Sequence, residues 1–206
     1  ASQIAILLIG QIIANNADIL IAKHYLTGDL AARYAAVALI GRAVFFLTGS
    51  VAITLFPVAA RRQADGEVGG HLLVGGALAV LGLGLGCTVG ALVLGGPVLR
   101  MVLGPFYGGL SLPLAGYAFG TTMLSVANLI ASHHLAAGQT RQCWALFGGS
   151  LVLVVVLTLR HDSVEELVTG QIFSMFLLLL ATVSIGYVDL PRRKPRRQTI
   201  PEAESK

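Results

Sequence analysis

Charged residues are scarce in this chain. Only 12% of its 206 residues are Asp, Glu, Lys or Arg, whereas soluble domains carry about 25%. Apolar runs instead recur at Ile4–Leu20, Ala43–Ala60, Leu72–Leu99, Met101–Ala131 and Cys143–Leu159. A membrane-spanning helix needs about 20 mostly apolar residues, and these runs fit that length with short extensions. The composition therefore excludes an ordinary water-soluble domain and predicts a protein that crosses the bilayer several times.

Recognisable catalytic and metal-binding patterns are also missing. The two cysteines, Cys87 and Cys143, lie in or beside apolar runs without metal-ligand spacing, which is typical of buried, unreactive thiols. The adjacent His133 and His134 are interpreted as solvated or in contact with lipid headgroups. The chain has no zinc-protease helix motif, nucleophile elbow, carboxylate pair at glycosidase spacing or phosphate-binding loop. We therefore expect no catalytic residue, no metal site, no cofactor and no enzymatic activity.

The apolar runs predict six membrane helices in an all-α fold. Their expected bounds are residues 3–23, 34–58, 71–95, 110–134, 142–159 and 166–188. Residues 1–188 would then form a single transmembrane lobe. Residues 189–206 would follow as a basic cytoplasmic tail, which we expect to be disordered.

The distribution of cations predicts the orientation of the lobe. Nine Lys and Arg residues fall in the second loop, the fourth loop and the tail, whereas four fall in the loops on the opposite side. Cytoplasmic segments carry the excess of Lys and Arg, so we expect both termini in the cytoplasm. Five of the six residues from Arg192 to Arg197 are basic. We expect that run to contact anionic lipid rather than nucleic acid.

The start of the chain carries no sign of a secretory signal. The first apolar run has no basic lead-in and contains Asp18, so we expect no cleavable signal peptide. The first residue is Ala1 rather than Met. We therefore allow that the chain is part of a longer protein.

Polar side chains form a stripe on the first predicted helix. Gln11, Asn15 and Asp18 are spaced at i, i+4 and i+7, which places them on one helical face. Arg42 lies inside the second helix. Asp18 would lie about 6 Å and Arg42 about 12 Å from the outer ends of their helices, at 1.5 Å per residue. The long arginine side chain can span that difference, so the two charges either form a structural ion pair or line a water-filled cavity.

A second polar stripe follows the fourth predicted helix. Thr121, Ser125, Asn128 and Ser132 are spaced at i, i+4, i+7 and i+11. Two separate stripes are more than locking two helices requires, and ionisable groups inside a membrane are functional-site candidates by default. We therefore predict a cavity lined by seven residues of the two stripes and the second helix: Gln11, Asn15, Asp18, Arg42, Thr121, Ser125 and Asn128. An arginine in such a cavity suits a phosphate group, which it can bind with two parallel hydrogen bonds.

Glycine spacing predicts where helices approach closely. Gly82, Gly86 and Gly90 stand four residues apart on the third helix, and Gly116 and Gly120 do so on the fourth. Small residues at this spacing let membrane helices pack against each other. We interpret both sets as packing surfaces rather than ligand sites.

Three further expectations concern helix ends and the membrane interface. Pro57 should mark a kink or the end of the second helix. The Gly- and Pro-rich segment 95–113 should form a loop against the outer surface. Tyr25 and Tyr34 should lie in the outer interface, where tyrosine is enriched.

Three segments of the sequence carry a family resemblance. They are NNADILIAKHYLTGDLAARYAAVALIGRAVFFLTGSVAITLFPVAARR, VLRMVLGPFYGG and NLIASHHLAAGQTRQ. The first resembles the opening of the C-terminal half of polysaccharide-biosynthesis flippases, and the other two are similar to the matching downstream segments. These Wzx-like proteins belong to the multidrug/oligosaccharidyl-lipid/polysaccharide exporter superfamily. The likeness runs from about residue 10 to residue 185.

This resemblance implies a function, a location and partners. It implies a flippase that moves a lipid-linked oligosaccharide or polysaccharide precursor across the bacterial cytoplasmic membrane by alternating access. It also implies two six-helix lobes, of which this chain supplies one, so the chain is a fragment, a split half or a homodimerising unit. The expected partners are membrane lipids, the lipid-linked sugar substrate, and the missing N-terminal lobe or a second copy; no nucleic acid is expected.

Two other functions stay open. One is a cation-coupled multidrug exporter of the same superfamily, in which Asp18 would be the coupling carboxylate. The other is a non-transporting membrane subunit that holds a polysaccharide assembly complex through its glycine ridges.

Overall fold

The computed structural model describes residues 2–64, 70–136 and 138–188. Within these ranges the chain is helical and contains no strand. The helices are α1 (Ser2–Tyr25), α2 (Gly28–Ala64), α3 (Gly70–Leu103), α4 (Ser111–Ala136), α5 (Arg141–Leu159) and α6 (Val164–Val188), with one turn of 3-10 helix at Pro105–Tyr107. Six of them contain segments long and apolar enough to cross a membrane. The predicted all-α, multi-pass membrane fold is therefore confirmed, while the predicted basic tail lies outside the described residues.

The second helix does not end at Pro57. It continues through the proline to Ala64 and is 37 residues long. A proline removes one backbone N–H and strains the preceding turn. Leaving the helix inside hydrocarbon would expose many more backbone groups, each of which needs an internal partner there. Continuing the helix is the less costly choice.

The third helix likewise runs farther than its glycines and Pro97 suggest. It extends to Leu103, so the first half of the predicted loop 95–113 is helical. Gly95 and Gly96 serve packing rather than a turn, because a Cβ at Gly96 would lie 2.9 Å from the Ser111 hydroxyl oxygen. The chain leaves the helix at Gly104, whose φ of 104° is a conformation that favours glycine.

Helix α4 is the centre of the bundle. It packs against α2, α3 and α6, and α5 packs against α1 and α6. In its membrane-spanning segment 78% of the residues are buried, against 11% for α3. Helices α1 and α2 are consecutive, yet they touch each other little. Part of the surface of each helix is uncovered, as the exposed side chains of Ile12, Asn16 and Leu20 on α1 and of Leu39 and Phe46 on α2 show.

Glycines set the closest helix approaches. A Cβ at Gly10 would lie 2.9 Å from the Phe147 Cα atom, so α1 and α5 meet backbone to backbone. On α4, a Cβ at Gly116 would lie 2.8 Å from Val168 Cγ1, and Gly120 also faces α6. These two α4 glycines therefore lie at a helix–helix contact.

The glycine ridge of α3 behaves differently. A Cβ at Gly82, Gly86 or Gly90 would meet nothing within 4 Å. No other described helix packs on this ridge, so its predicted packing role is not fulfilled within the described chain. The contact with α4 uses Gly84 instead, where a Cβ would overlap Thr122. Glycine spacing alone could not show which face of α3 packs against α4, because the face with Gly84 and the face with Gly82, Gly86 and Gly90 both contain glycine.

Gly10 and Gly86 provide a matched pair of substitutions. Gly10→Ala should lower thermal stability in detergent, because the added methyl group meets the α5 backbone and such overpacking costs about 1–3 kcal/mol. Gly86→Ala should be neutral or stabilising, because alanine is better than glycine in a helix by up to ~1 kcal/mol. Melting curves read by size-exclusion chromatography measure both variants. An equal loss of stability in the two would contradict the close approach of α1 and α5.

Candidate functional site

Asp18 lies at the centre of a buried hydrogen-bond network. The residue is completely buried on α1. Its Oδ1 atom accepts a hydrogen bond of 2.8 Å from Arg42 Nη2. Its Oδ2 atom accepts hydrogen bonds from the hydroxyl groups of Tyr34, at 3.1 Å, and Tyr117, at 2.8 Å. Three donors from α2 and α4 therefore compensate the desolvated carboxylate, as a buried charge requires.

Arg42 connects this buried carboxylate to the surface of the bundle. Its Nε atom donates to the Tyr117 hydroxyl at 3.2 Å, and its Nη1 atom donates to Asn16 Oδ1 at 3.3 Å. The Arg42 side chain is 18% exposed, whereas that of Asp18 is 1% exposed. Asn16 itself is exposed on α1. The guanidinium is thus held on its inner side and reaches open space on its outer side.

Gln171 adds α6 to the network. Its Oε1 atom lies 3.3 Å from the Tyr34 hydroxyl. That hydroxyl has one proton and cannot donate to Asp18 and Gln171 at once. Rotating the Gln171 amide places its NH₂ group at the tyrosine oxygen, and both contacts are then satisfied. We call Asn16, Asp18, Tyr34, Arg42, Tyr117 and Gln171 the Asp18 cluster.

Helix geometry explains how the cluster is assembled. Tyr34 and Arg42 are separated by eight residues, so they lie on one face of α2. Gly41 is next to Arg42, and a Cβ there would overlap the Tyr117 ring. The absence of a side chain at position 41 therefore lets the α4 tyrosine lie against α2 and reach Asp18.

The sequence had pointed to Asp18 and Arg42 but missed both tyrosines. The prediction that Tyr34 lies at the membrane interface is wrong, because that residue is completely buried, whereas Tyr25 is 43% exposed. Tyrosine is common at interfaces, but a buried tyrosine also finds a hydrogen-bond partner, and composition does not separate the two cases. The available signal was spacing: Tyr117 precedes Thr121 by one helical turn and extends the predicted α4 stripe.

Two residues of that stripe are buried between helices, and one of them, Ser125, is hydrogen-bonded to α2. Thr121 and Ser125 are 1% and 4% exposed, and both hydroxyls donate to carbonyl groups of their own helix. Ser125 Oγ also accepts a 2.8 Å hydrogen bond from Thr48 on α2. Neither residue faces open space within the described chain, so here the stripe serves an interhelical contact rather than the predicted cavity wall.

The other predicted site residues lie outside the cluster. Asn15 donates to the backbone carbonyl of Gln11 at 3.1 Å, so its amide is bound to its own helix. Both residues are half-buried. Asn128 is also half-buried, and its Oδ1 atom is buried without a hydrogen-bond partner among the described residues. The structure therefore brings only Asp18 and Arg42 of the seven predicted residues into the cluster.

An apolar groove of about 480 Å³ lies between α2, α3 and α4. Its walls include Gly41, Val44, Gly90, Leu94 and Leu114, and none of the seven predicted site residues lines it. The groove and the Asp18 cluster thus lie on different sides of the contact between Gly41 and Tyr117.

The cysteines and the paired histidines lie away from the cluster. Cys87 lines the apolar groove, and Cys143 is buried with Leu146. His133 and His134 contact each other edge to face, at a centroid distance of 5.8 Å. Within the part of the chain that the structure describes, no three His, Cys, Asp or Glu side chains are grouped to hold a metal ion.

Comparisons of the chain with models of protein families, with curated proteins and with solved structures find no match. The resemblance to flippases therefore stays a prediction. The chemistry of the site has to be argued from the geometry of the Asp18 cluster.

Removing the Asp18 charge should destabilise the bundle strongly. Asp18→Asn leaves the Arg42 guanidinium without its counter-charge, and breaking a buried pair in this way costs about 3 kcal/mol or more. The double variant Asp18→Asn/Arg42→Gln removes both charges and should recover most of that loss. Asp29→Asn, which changes an exposed acid in the first turn of α2, is the control and should change little.

Unfolding in detergent of the wild type, Asp18→Asn, Arg42→Gln and the double variant gives the coupling energy of the pair directly. Additive losses in the double variant would contradict the assignment of Arg42 as the partner of Asp18.

Proposed function

We propose that the chain is one six-helix lobe of a flippase in the bacterial cytoplasmic membrane. The flippase translocates a lipid-linked oligosaccharide or polysaccharide precursor by alternating access. The missing N-terminal lobe, or a second copy of the chain, completes the cavity. The observation that carries the proposal is the partial exposure of Arg42. This cation lies inside a membrane-spanning segment, and one side of its guanidinium is directed to open space.

The uncovered face of α1 and α2 supports a water-filled cavity. Asn16 lies 14 residues into the 24-residue helix α1, at mid-span, and it is exposed there beside the guanidinium. Polar and charged groups at that depth are costly against hydrocarbon. Asn16 already donates to the Ile12 carbonyl at 2.8 Å and accepts from Arg42. Water or a second protein surface would satisfy its second amide N–H and the unused N–H groups of Arg42. A second lobe facing this side of the bundle would enclose both groups in one cavity.

The guanidinium has donors left for a substrate. Arginine carries five N–H groups. Three of them point to Asp18, Tyr117 and Asn16. Two remain, one on each terminal nitrogen, and they suit two oxygens of a phosphate group. A lipid-linked sugar precursor presents an anionic phosphate of this kind.

The same geometry argues against the cation-coupled exporter. Asp18 is buried and already accepts hydrogen bonds from three side chains, one of them the guanidinium. A cationic drug would have to displace Arg42 to reach the carboxylate. The group at the open face is the cation, so the site favours an anionic ligand.

A non-transporting membrane subunit is the second candidate. It is supported by the α3 ridge of Gly82, Gly86 and Gly90, on which no described helix packs. Such a ridge suits a helix of another protein. This candidate does not account for the open side of Arg42, and it predicts that variants of the Asp18 cluster leave transport unaffected.

Thiol labelling tests the water-filled cavity. In a background with both native cysteines replaced by alanine, Asn16→Cys in native membranes should react with a membrane-impermeant maleimide, because only a hydrated thiol forms the reactive thiolate. Val93→Cys is the control: position 93 is 67% exposed on α3, on a surface expected to face lipid. It should react at least tenfold more slowly. Equal protection of the two positions would contradict the cavity.

Substitution at Arg42 tests translocation. Arg42→Ala should abolish transport in cells that rely on the native protein, and the charge-neutral variant Asp18→Asn/Arg42→Gln should do the same while retaining a near-native melting temperature. The measurement is accumulation of the lipid-linked precursor in the cytoplasmic leaflet. Arg160→Gln, an exposed cation in the α5–α6 turn, should transport normally. Wild-type transport by the inserted, folded double variant would contradict the proposal.

A further inference from the structure

Two further arginines lie at the end of the bundle where α2 begins and α3 ends. Arg33 is on α2 and Arg100 is on α3, and both flank the loop that leads to α4. A Cβ at Gly108 would overlap the Arg100 side chain, and a Cβ at Gly109 would lie 3.8 Å from Arg33 Nη2. The two guanidinium groups are therefore placed beside adjacent glycines, which leave room for them.

Neither arginine is neutralised by the described chain. No ion pair or side-chain hydrogen bond of Arg33 or Arg100 is formed with a described residue, in contrast to Arg42. The Nε atom of Arg33 is buried and has no acceptor among the described residues. Its guanidinium carbon lies 5.9 Å from the centre of the Phe106 ring, which orients the group across the loop. A buried N–H without an acceptor is unfavourable, so this donor is available to a ligand oxygen.

We infer that Arg33, Arg100 and the Gly108–Gly109 turn bind a phosphate group. Two guanidinium forks offer several N–H donors to a tetrahedral anion, and arginine favours phosphate because its donors are planar and only weakly hydrated. Gly108 and Gly109 carry no side chain that would fill the space beside the two guanidinium groups. Arg33 precedes Arg42 by nine residues, or about 13 Å along α2. Arg33 is next to Tyr34 of the Asp18 cluster, but the two side chains leave α2 about 100° apart. The two sites therefore use different groups, and the inference does not depend on the proposed function.

The surroundings favour the phosphate of an anionic lipid. Met101 is 92% exposed and Leu112 is 71% exposed, so apolar side chains suited to acyl chains lie next to Arg100 and the loop. Phe106 is 55% exposed and adds a third apolar surface beside the loop. Inorganic phosphate presents the same chemistry to the two arginines, and the experiment below separates the two sources.

Native mass spectrometry of the purified chain measures binding of phosphatidylglycerol against phosphatidylcholine. The Arg33→Gln/Arg100→Gln variant should bind phosphatidylglycerol at least about tenfold more weakly than the wild type, since it loses charge-assisted hydrogen bonds. Lys23→Gln/Arg160→Gln removes two exposed cations and is matched in charge. It should bind like the wild type. An equal loss in both double variants would overturn the site, because it would show general electrostatic attraction only.

A third variant separates geometry from charge. Gly108→Ala keeps both arginines but displaces the Arg100 side chain, and its backbone conformation, with φ of −68°, suits alanine. It should also weaken binding, with a melting temperature near that of the wild type. Wild-type affinity in this variant would contradict the placement of Arg100.

A titration with inorganic phosphate, followed by phosphorus NMR, forms the second arm. Phosphate binding that is lost in Arg33→Gln/Arg100→Gln, without selective retention of phosphatidylglycerol, supports the phosphate site and assigns it to free phosphate. Selective lipid retention that is lost in the same variant assigns it to the lipid headgroup. Binding of neither ligand by the wild type would overturn the inference.

Discussion

A carboxylate inside a membrane-spanning helix must be neutralised, and the described bundle is arranged around that requirement. Asp18 is completely buried and accepts hydrogen bonds from Arg42, Tyr34 and Tyr117. These contacts join α1 to α2 and α4, and Gln171 extends them to α6. Helices α1 and α2 have little direct packing between them. The network therefore holds together a part of the bundle that apolar contacts leave open, and losing any one member leaves a polar partner in a medium that cannot solvate it.

The two charges of the pair have different surroundings, and this difference bears on both interpretations that the sequence allows for the pair. A structural ion pair and a functional cavity residue seemed to be alternatives. Asp18 is enclosed and has the structural role, whereas Arg42 keeps two N–H groups unused and reaches the open face beside Asn16. The carboxylate fixes the position of the guanidinium and partly offsets its charge. For the proposed flippase this offset would matter, because a cation without a counter-charge at that depth would retain a phosphate too strongly for transport.

Much of the fold, and part of the site, could be predicted from the sequence for physical reasons. Hydrocarbon thickness sets helix length, so the apolar runs predicted six spans, and the high cost of intramembrane charge pointed to Asp18 and Arg42. The predicted helix ends were less accurate. Gly95, Gly96 and Pro97 resemble a turn in the sequence, but they stay helical because backbone groups inside a membrane need internal hydrogen-bond partners. Tyr34 was misplaced because an amphipathic side chain suits both an interface and a buried polar network. The helix that packs against each glycine ridge could not be predicted from the sequence, because glycine spacing predicts a close approach without identifying the neighbouring helix.

The two uncovered surfaces of the bundle make different demands on their surroundings. Gly82, Gly86 and Gly90 leave α3 open, but a helix satisfies its own backbone groups, so lipid can cover this ridge at little cost. The face of α1 and α2 carries Asn16 and the exposed side of Arg42, and lipid tails cannot satisfy the N–H groups that these two side chains leave unused. Only that second face requires water or another protein surface. The ridge permits a protein partner, whereas the Asp18 cluster needs either water or a partner, and the proposed second lobe or second copy would meet that need opposite α1 and α2.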